Sequence, residues 1–213
     1  MEKKEKKTAK DLILNEAEKQ FSERGYFKVT AKEISEAAGV NTAAVNYYFG
    51  GKDGLYLEVL KNAHQKMVSE QTLDDILAQK GPAKEKLRTF FEVVVGEKDL
   101  SRRRAVRLFL LEMATPTSLI EKHMALSALP KLQKLSVVIA EITGFAQGSF
   151  KLRYATGFVL LQSIGLLIYP EFFKAMLFGD HFAQNPQKEE AFLSDYLTEY
   201  AYGGLEALKR KYS

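Results

Sequence analysis

The residues of this 213-residue chain best suited to chemistry lie close together near its beginning. Thr42 and Asn46 carry hydrogen-bonding groups of the kind that meet base edges in a groove of duplex DNA. Tyr47 and Tyr48 follow, with hydroxyl tips that suit phosphates and rings that suit thymine methyls. Ala43 and Ala44 keep the same segment thin enough to approach bases. Lys52 comes next, at the predicted start of another helix, where its charge and the free backbone N–H groups together suit a phosphate. Lys32 and the Thr30 hydroxyl occupy the corresponding place on an earlier helix and are candidates for the flanking backbone. Phosphate contacts set affinity and register, whereas Thr42, Asn46 and Tyr47 would set sequence preference.

Three short elements must position these groups. From Thr8 to Arg24, Ile13, Ala17 and Phe21 recur at four-residue spacing and place one apolar stripe on a helix that Gly25 closes. Thr30-Ala31-Lys32-Glu33 has the S/T-x-x-E form of a capping box and predicts a second helix with Ile34, Ala37 and Ala38 inside and Gly39 at its end. After Val40, Asn41 is a good N-cap for a third helix over Thr42 to Phe49. Gly50 and Gly51 break it, and a longer helix is expected from about Lys52 to about Ala78. Two short helices joined by a tight Gly-containing turn, behind a helix with a matching stripe, make a helix-turn-helix whose second member can enter a major groove. Val40 and Val45 anchor it, with Phe49 buried beside them. Tyr47 and Tyr48 cannot both face inward on a helix that already buries Val45 and Phe49, and Tyr48 is the one expected to be partly packed.

The remainder predicts helices at about 82–97, 100–114, 117–127, 130–143, 149–168, 171–178 and 188–211, with no sustained period-two alternation. The expected fold class is all-α: an N-terminal three-helix DNA-binding domain with a helix-turn-helix, and a C-terminal helical domain. The boundary is placed at residues 1–54 and 55–213, with the mixed-charge run MEKKEKK as a solvated, mobile arm.

Composition narrows the function classes. Cysteine is absent, which excludes disulfides, thiolate metal sites and a cysteine nucleophile, and is compatible with the cytoplasmic location expected here. No secretory signal is read in the charged opening residues. The longest uncharged stretch, Tyr154 to Pro170, is interrupted by Gln162 and Ser163 and is shorter than the roughly 20 apolar residues of a membrane span. A net charge of +4 leans toward a polyanionic partner, but residues 1–54 hold ten Lys and Arg against nine Asp and Glu, so bulk charge does not locate the interface. Gly50-Gly51-Lys52-Asp53-Gly54 lacks the spacing and the Ser or Thr of a phosphate loop. His64, His123 and His181 are dispersed, so neither a metal nor a cofactor is expected. Ser101-Arg102-Arg103-Arg104 with Arg107 is a basic cluster at a helix start, ordinarily a solvated face.

Taken together, Thr30-Ala31-Lys32-Glu33-Ile34, Ala38-Gly39-Val40, Asn41 through Phe49 and Lys52-Asp53-Gly54-Leu55 resemble the DNA-binding signature of the TetR (tetracycline-repressor-like) family. The resemblance extends back through Ile13, Ala17, Phe21, Arg24, Gly25 and Tyr26 and covers about the first quarter of the chain. Asn41, Val45 and Asn46 depart from the commoner Ser or Thr and Leu-Tyr, which affects the operator sequence and not the role. Glu112-Met113-Ala114-Thr115-Pro116-Thr117 is similar to one branch of the family. The resemblance implies a homodimer, repression of nearby genes at a palindromic operator, and release from DNA when a small-molecule effector binds the C-terminal domain.

It also implies that the helices at 149–168 and 188–211 form a four-helix dimer interface. Phe150, Phe158, Gly165, Phe192, Tyr196, Tyr200 and Gly203 are the residues expected there. An effector pocket is expected among the helices from 82 to 168, with Phe90, Phe91, Phe109, Met113, His123, Tyr154 and Gln162 as walls and polar tips. Arg107 and Glu112 are either polar pocket groups or an internal pair. Two other classes compete: an enzyme, against which stands the lack of any nucleophile, metal or phosphate-loop motif, and a protein-interaction module built on the same helix-turn-helix shape.

Overall fold

The computed structural model describes residues 8–96, 100–168 and 186–212. The regular elements among them are helical: α1 (Ala9–Arg24), α2 (Ala31–Ala37), α3 (Ala43–Phe49), α4 (Lys52–Met67), α5 (Glu70–Ala78), α6 (Ala83–Val95), α7 (Leu100–Ala114), α8 (Ile120–His123), α9 (Leu129–Thr143), α10 (Phe150–Ile168) and α11 (Pro186–Tyr212). A 3-10 turn, Tyr26–Lys28, links α1 to α2, and a π-helical turn, Met124–Ala128, leads from α8 into α9. The helix expected at 171–178 lies outside the described residues.

Local chemistry accounts for most of the helix ends. Thr8 and Asp11 form a capping box on α1, and Thr30 and Glu33 form another on α2, each satisfying donors that a helix start leaves open. The helix expected to run unbroken from 52 to 78 is two helices. Ser69 starts the second, its hydroxyl accepting from the Thr72 N–H at 3.0 Å, and a cap of that kind outweighs the apolar periodicity that runs through the break.

The chain divides into two compact units, residues 1–67 with 98–128 and residues 68–97 with 129–213. The first unit reaches further than the expected boundary at 54. Its core joins Ile13, Ala17 and Phe21 of α1, Ile34 of α2 and Val45 of α3 to Leu55, Tyr56, Val59, Leu60 and Ala63 of α4 and to Ala105 and Leu108 of α7. α1 packs on both α4 and α7, and α3 packs on α4, so those helices belong to the same packed body. Each buried Phe, Leu or Ile there stabilises by roughly 1.5–3 kcal/mol relative to exposure.

The second unit packs α5, α6, α9, α10 and α11 around Leu73, Ile76, Leu87, Phe90, Phe91, Val94, Leu135, Ile139, Ile142, Leu152, Val159 and Leu205. Lys86 joins α6 to Glu141 of α9 at 2.9 Å, and Arg88 joins α6 to Asp195 of α11. Among the described residues no helix is long and apolar enough to cross a membrane.

Candidate nucleic-acid interface

The turn between α2 and α3 is built by backbone hydrogen bonds. The Val40 N–H donates to the Ser35 carbonyl at 3.0 Å and the Gly39 N–H donates to that of Glu36 at 3.1 Å, which is a Schellman ending. That ending requires a left-handed residue, and Gly39 takes φ 69° without the Cβ penalty. Asn41 then acts as the predicted cap, its Oδ1 accepting from the Ala43 N–H at 2.8 Å. The helix itself begins one residue later than expected, at Ala43, with Thr42 already in helical geometry before it.

Val45 is fully buried, and Val40, Ala44 and Phe49 pack partly against the same core. The opposite face is open. Thr42, Ala43, Asn46, Tyr47 and Tyr48 are all exposed. Tyr47 is 83% exposed and Tyr48 41%, with their rings in an edge-on contact at 4.9 Å, so Tyr48 is the partly packed member of the pair. A short helix pinned from beneath by one valine, with its polar and tyrosyl groups outward, has the geometry of an element that enters a groove. Ala44 is the exception among the predicted contacts: it faces partly inward.

The start of α4 adjoins this helix closely. A Cβ at residue 54 would collide with the Phe49 carbonyl oxygen, so Gly54 is required for α4 to begin where it does. Lys52 is thereby placed in the first turn of a 16-residue helix. Its Nζ lies 4.0 Å from the centroid of the Tyr26 ring, and the Tyr26 hydroxyl donates to Asp53. Burial lowers the Lys52 pKa from its ordinary value, with Asp53 and Glu33 opposing. Burial, together with the hydrogen bond to Asp53, pushes the Tyr26 phenol up to about 12, so its hydroxyl keeps its proton and remains a donor. A cation resting on an aromatic face beside a helix N-terminus has the charge and the neighbouring backbone donors that suit a phosphate. The role of Tyr26 in placing Lys52 is not apparent in the chain, since the two residues are far apart in sequence.

On α2, Lys32 is exposed with Glu36 3.8 Å away. Thr30 is committed differently from its prediction as a phosphate ligand. Its hydroxyl donates to the Glu33 carboxylate at 2.7 Å and accepts from the Glu33 N–H at 3.2 Å, so it is already taken up by the capping box. The Arg24 guanidinium also donates to Glu33, at 2.8 Å.

The residues expected to line an effector pocket are dispersed. Phe90 and Phe91 are buried in the core of the second unit. Tyr154 points the other way, 68% exposed, and shares a stripe with Phe150 and Phe158 at four-residue spacing. Gln162 is half-buried, and its side-chain carbonyl oxygen is buried with no hydrogen-bond partner among the described residues. Arg107, Phe109 and Met113 belong to the first unit. Arg107 and Met113 are exposed, whereas Phe109 is half-buried with its ring 5.3 Å from that of His64. Glu112 does not face Arg107. It is buried and accepts from Tyr56 and Thr117. The side chain of His123 lies outside those described.

The residues expected at a dimer interface lie open on the second unit. Phe150 and Phe158 of α10 and Phe192, Tyr196 and Tyr200 of α11 are between 48% and 70% exposed. A Cβ built at Gly203 would meet nothing within 4 Å. The surroundings of Gly165 lie outside the described residues.

Comparison with known proteins agrees with this geometry. Residues 13–59 match the family model for bacterial regulatory proteins of the tetR family. The chain is 23% identical over 177 residues to a Bacillus subtilis protein named probable HTH-type transcriptional regulator YttP, covering 81% of this chain and 84% of that protein. It is 47% identical over 49 residues to the HTH-type transcriptional dual regulator CecR of Shigella flexneri, a match confined to 23% of this chain and 22% of that one. The fold is shared with the fatty acid degradation regulator FadR from Bacillus halodurans, with a TM-score of 0.65 at 17% identity over 95% of this chain and 98% of that one.

Proposed function

We propose that the chain is a transcriptional regulator of the TetR family, a homodimeric repressor that holds a palindromic operator and releases it when a small molecule binds the C-terminal part of the chain. The observation that carries the DNA-binding part is the outward display of Thr42, Asn46 and Tyr47 on a helix whose inner face is fixed by Val45, with Lys52 set beside it on the Tyr26 ring. Thr42, Asn46 and Tyr47 read bases; Lys52 and Lys32 hold phosphates. The role is regulatory and not enzymatic, and its place is the cytoplasm. Residues 1–54 do the reading, and the remainder of the chain supplies dimerisation and response.

Dimerisation is supported by the open apolar stripes of α10 and α11. Phe150, Tyr154, Phe158 and Leu161 follow one another along α10, as Phe192, Tyr196 and Tyr200 do along α11, all at helical spacing and all exposed. Rows of this kind cost solubility unless a surface of matching shape covers them, and a second copy related by a two-fold axis brings the same rows together. Two recognition helices then meet successive major grooves, about 34 Å apart.

Response to an effector is supported by Gln162, whose buried carbonyl oxygen lacks a donor among the described residues. Buried polar atoms are ordinarily paired, and a ligand with a hydroxyl or N–H group would satisfy this one. Such a ligand shifts the protein off DNA only by the difference between its affinities for the two forms.

The test is selection of bound duplexes from a random library, followed by screening of small molecules for release. A palindrome with two half-sites is the expected product. An unstructured pool of sequences would overturn specific recognition.

A further inference from the structure

Glu112 is one of the most deeply buried charged side chains of the first unit, 1% exposed on α7. Burying a carboxylate is costly unless its oxygens are fully bonded, and here each is. The Tyr56 hydroxyl donates to Oε2 at 2.7 Å. The Thr117 N–H and hydroxyl both donate to Oε1, at 2.8 and 2.7 Å. The carboxylate therefore clasps α4 to the turn that follows α7, within the same compact unit as the helix-turn-helix.

Tyr56 does not end the chain of contacts. Its ring is 1% exposed and is held edge-on by Phe21 at 4.9 Å, with Tyr26 on another side at 4.8 Å. Tyr26 in turn carries the Lys52 ammonium on its face and donates to Asp53. Four side chains in contact thus run from the interior of α7 to the cation proposed to grip a phosphate. Burial and the bond to Glu112 both raise the Tyr56 pKa well above its usual range, so this hydroxyl serves only as a neutral hydrogen-bonding group.

We propose that Glu112 is a positioning residue for the phosphate holder at Lys52, acting through Tyr56 and Tyr26. A buried phenol hydroxyl that loses its acceptor must find another by moving its ring, and the ring of Tyr56 cannot shift without displacing Tyr26, on which Lys52 rests. Displacement of α7 or of the turn at Thr117 reaches the DNA-facing surface by the same contacts. The inference rests on the DNA-binding reading above.

The test uses the full-length protein and one duplex recovered from the random library, with affinity measured over a series of salt concentrations for the wild type, Glu112→Leu, Glu112→Gln, Lys52→Ala and the double variant Glu112→Leu/Lys52→Ala. Loss of a hydrogen-bonded carboxylate predicts that Glu112→Leu weakens binding about tenfold and lowers the salt slope by about one phosphate contact. Glu112→Gln should fall with Glu112→Leu, because its amide oxygen can still accept from Thr117 but its NH2 then faces the Tyr56 oxygen and leaves that hydroxyl without an acceptor. In the Lys52→Ala background, Glu112→Leu costs nothing further. Thermal melting and circular dichroism establish that each variant is folded at the assay temperature. Should Glu112→Leu bind with the wild-type affinity and slope, or weaken binding equally with and without Lys52, the positioning role is overturned while DNA binding stands. Should the wild type bind no duplex above background, the DNA-binding reading falls and this inference with it.

Discussion

The Lys52 ammonium rests 4.0 Å from the centre of the Tyr26 ring, and the hydroxyl of that ring is tied to Asp53, the next residue along from Lys52. One tyrosine from the 3-10 turn after α1 thus fixes both the first cation and the first anion of α4. The Lys52 side chain is held in a particular pose before DNA arrives, which lowers the ordering cost of the contact.

Lys52→Ala should therefore weaken binding by a similar factor on every duplex tested, specific or not, because a phosphate carries no sequence information. The slope of log affinity against log salt should become shallower by about one. Fluorescence anisotropy titrations at several salt concentrations measure both.

Asn46→Ala and Thr42→Ala should behave in the opposite manner. Each removes an exposed group, Asn46 on α3 and Thr42 immediately before it, and should reduce discrimination at one operator position by about 1–3 kcal/mol while leaving the salt slope unchanged. Competition between the selected duplex and single-base variants of it gives the readout. An unchanged preference profile would remove these two residues from base recognition.

Tyr196→Asp should separate the proposed dimer. The ring is 60% exposed at the middle of the α11 stripe and stacks on Phe192 at 5.8 Å, so a carboxylate there would be buried only when a second copy docks. Sedimentation velocity should show a monomer with an unaltered helical circular dichroism spectrum, and operator binding should fall with it. A variant that remains dimeric would place the interface elsewhere.

Glu33 links the fold to pH. Its carboxyl is held at about 2, below the ordinary 4.5, chiefly by the Thr30 hydroxyl and then by Arg24. The folded state thus binds fewer protons than the unfolded chain between these values. The stabilisation is complete above about 4.5 and is lost as pH falls toward about 2. The unfolding midpoint of Glu33→Gln should accordingly decline less than that of the wild type over this acidic window, and the two proteins should differ by a constant amount at neutral pH. Denaturant titrations across the window measure this, and parallel curves would contradict it.

What could be read directly from the chain is what neighbouring residues decide among themselves. The Thr30–Glu33 box, the Gly39 turn and the Asn41 cap all appear as anticipated, because each is a contact between residues at most a few positions apart. The stripe of Ile13, Ala17 and Phe21 is buried as its spacing requires, and the outward face of α3 follows once Val45 is assigned to the interior. Tertiary packing decided the rest. Periodicity marks a residue as apolar without saying which neighbour it meets: Phe90 and Phe91 went into a core, whereas Tyr154 was left on an open stripe. The extent of the first unit depends on Ala105 and Leu108 returning to α1 from across the chain. The bond from Glu112 to Tyr56 spans 56 positions. Local hydrogen bonding thus determined where helices start and stop, and only the closure of distant side chains on one another determined which of them are placed to act.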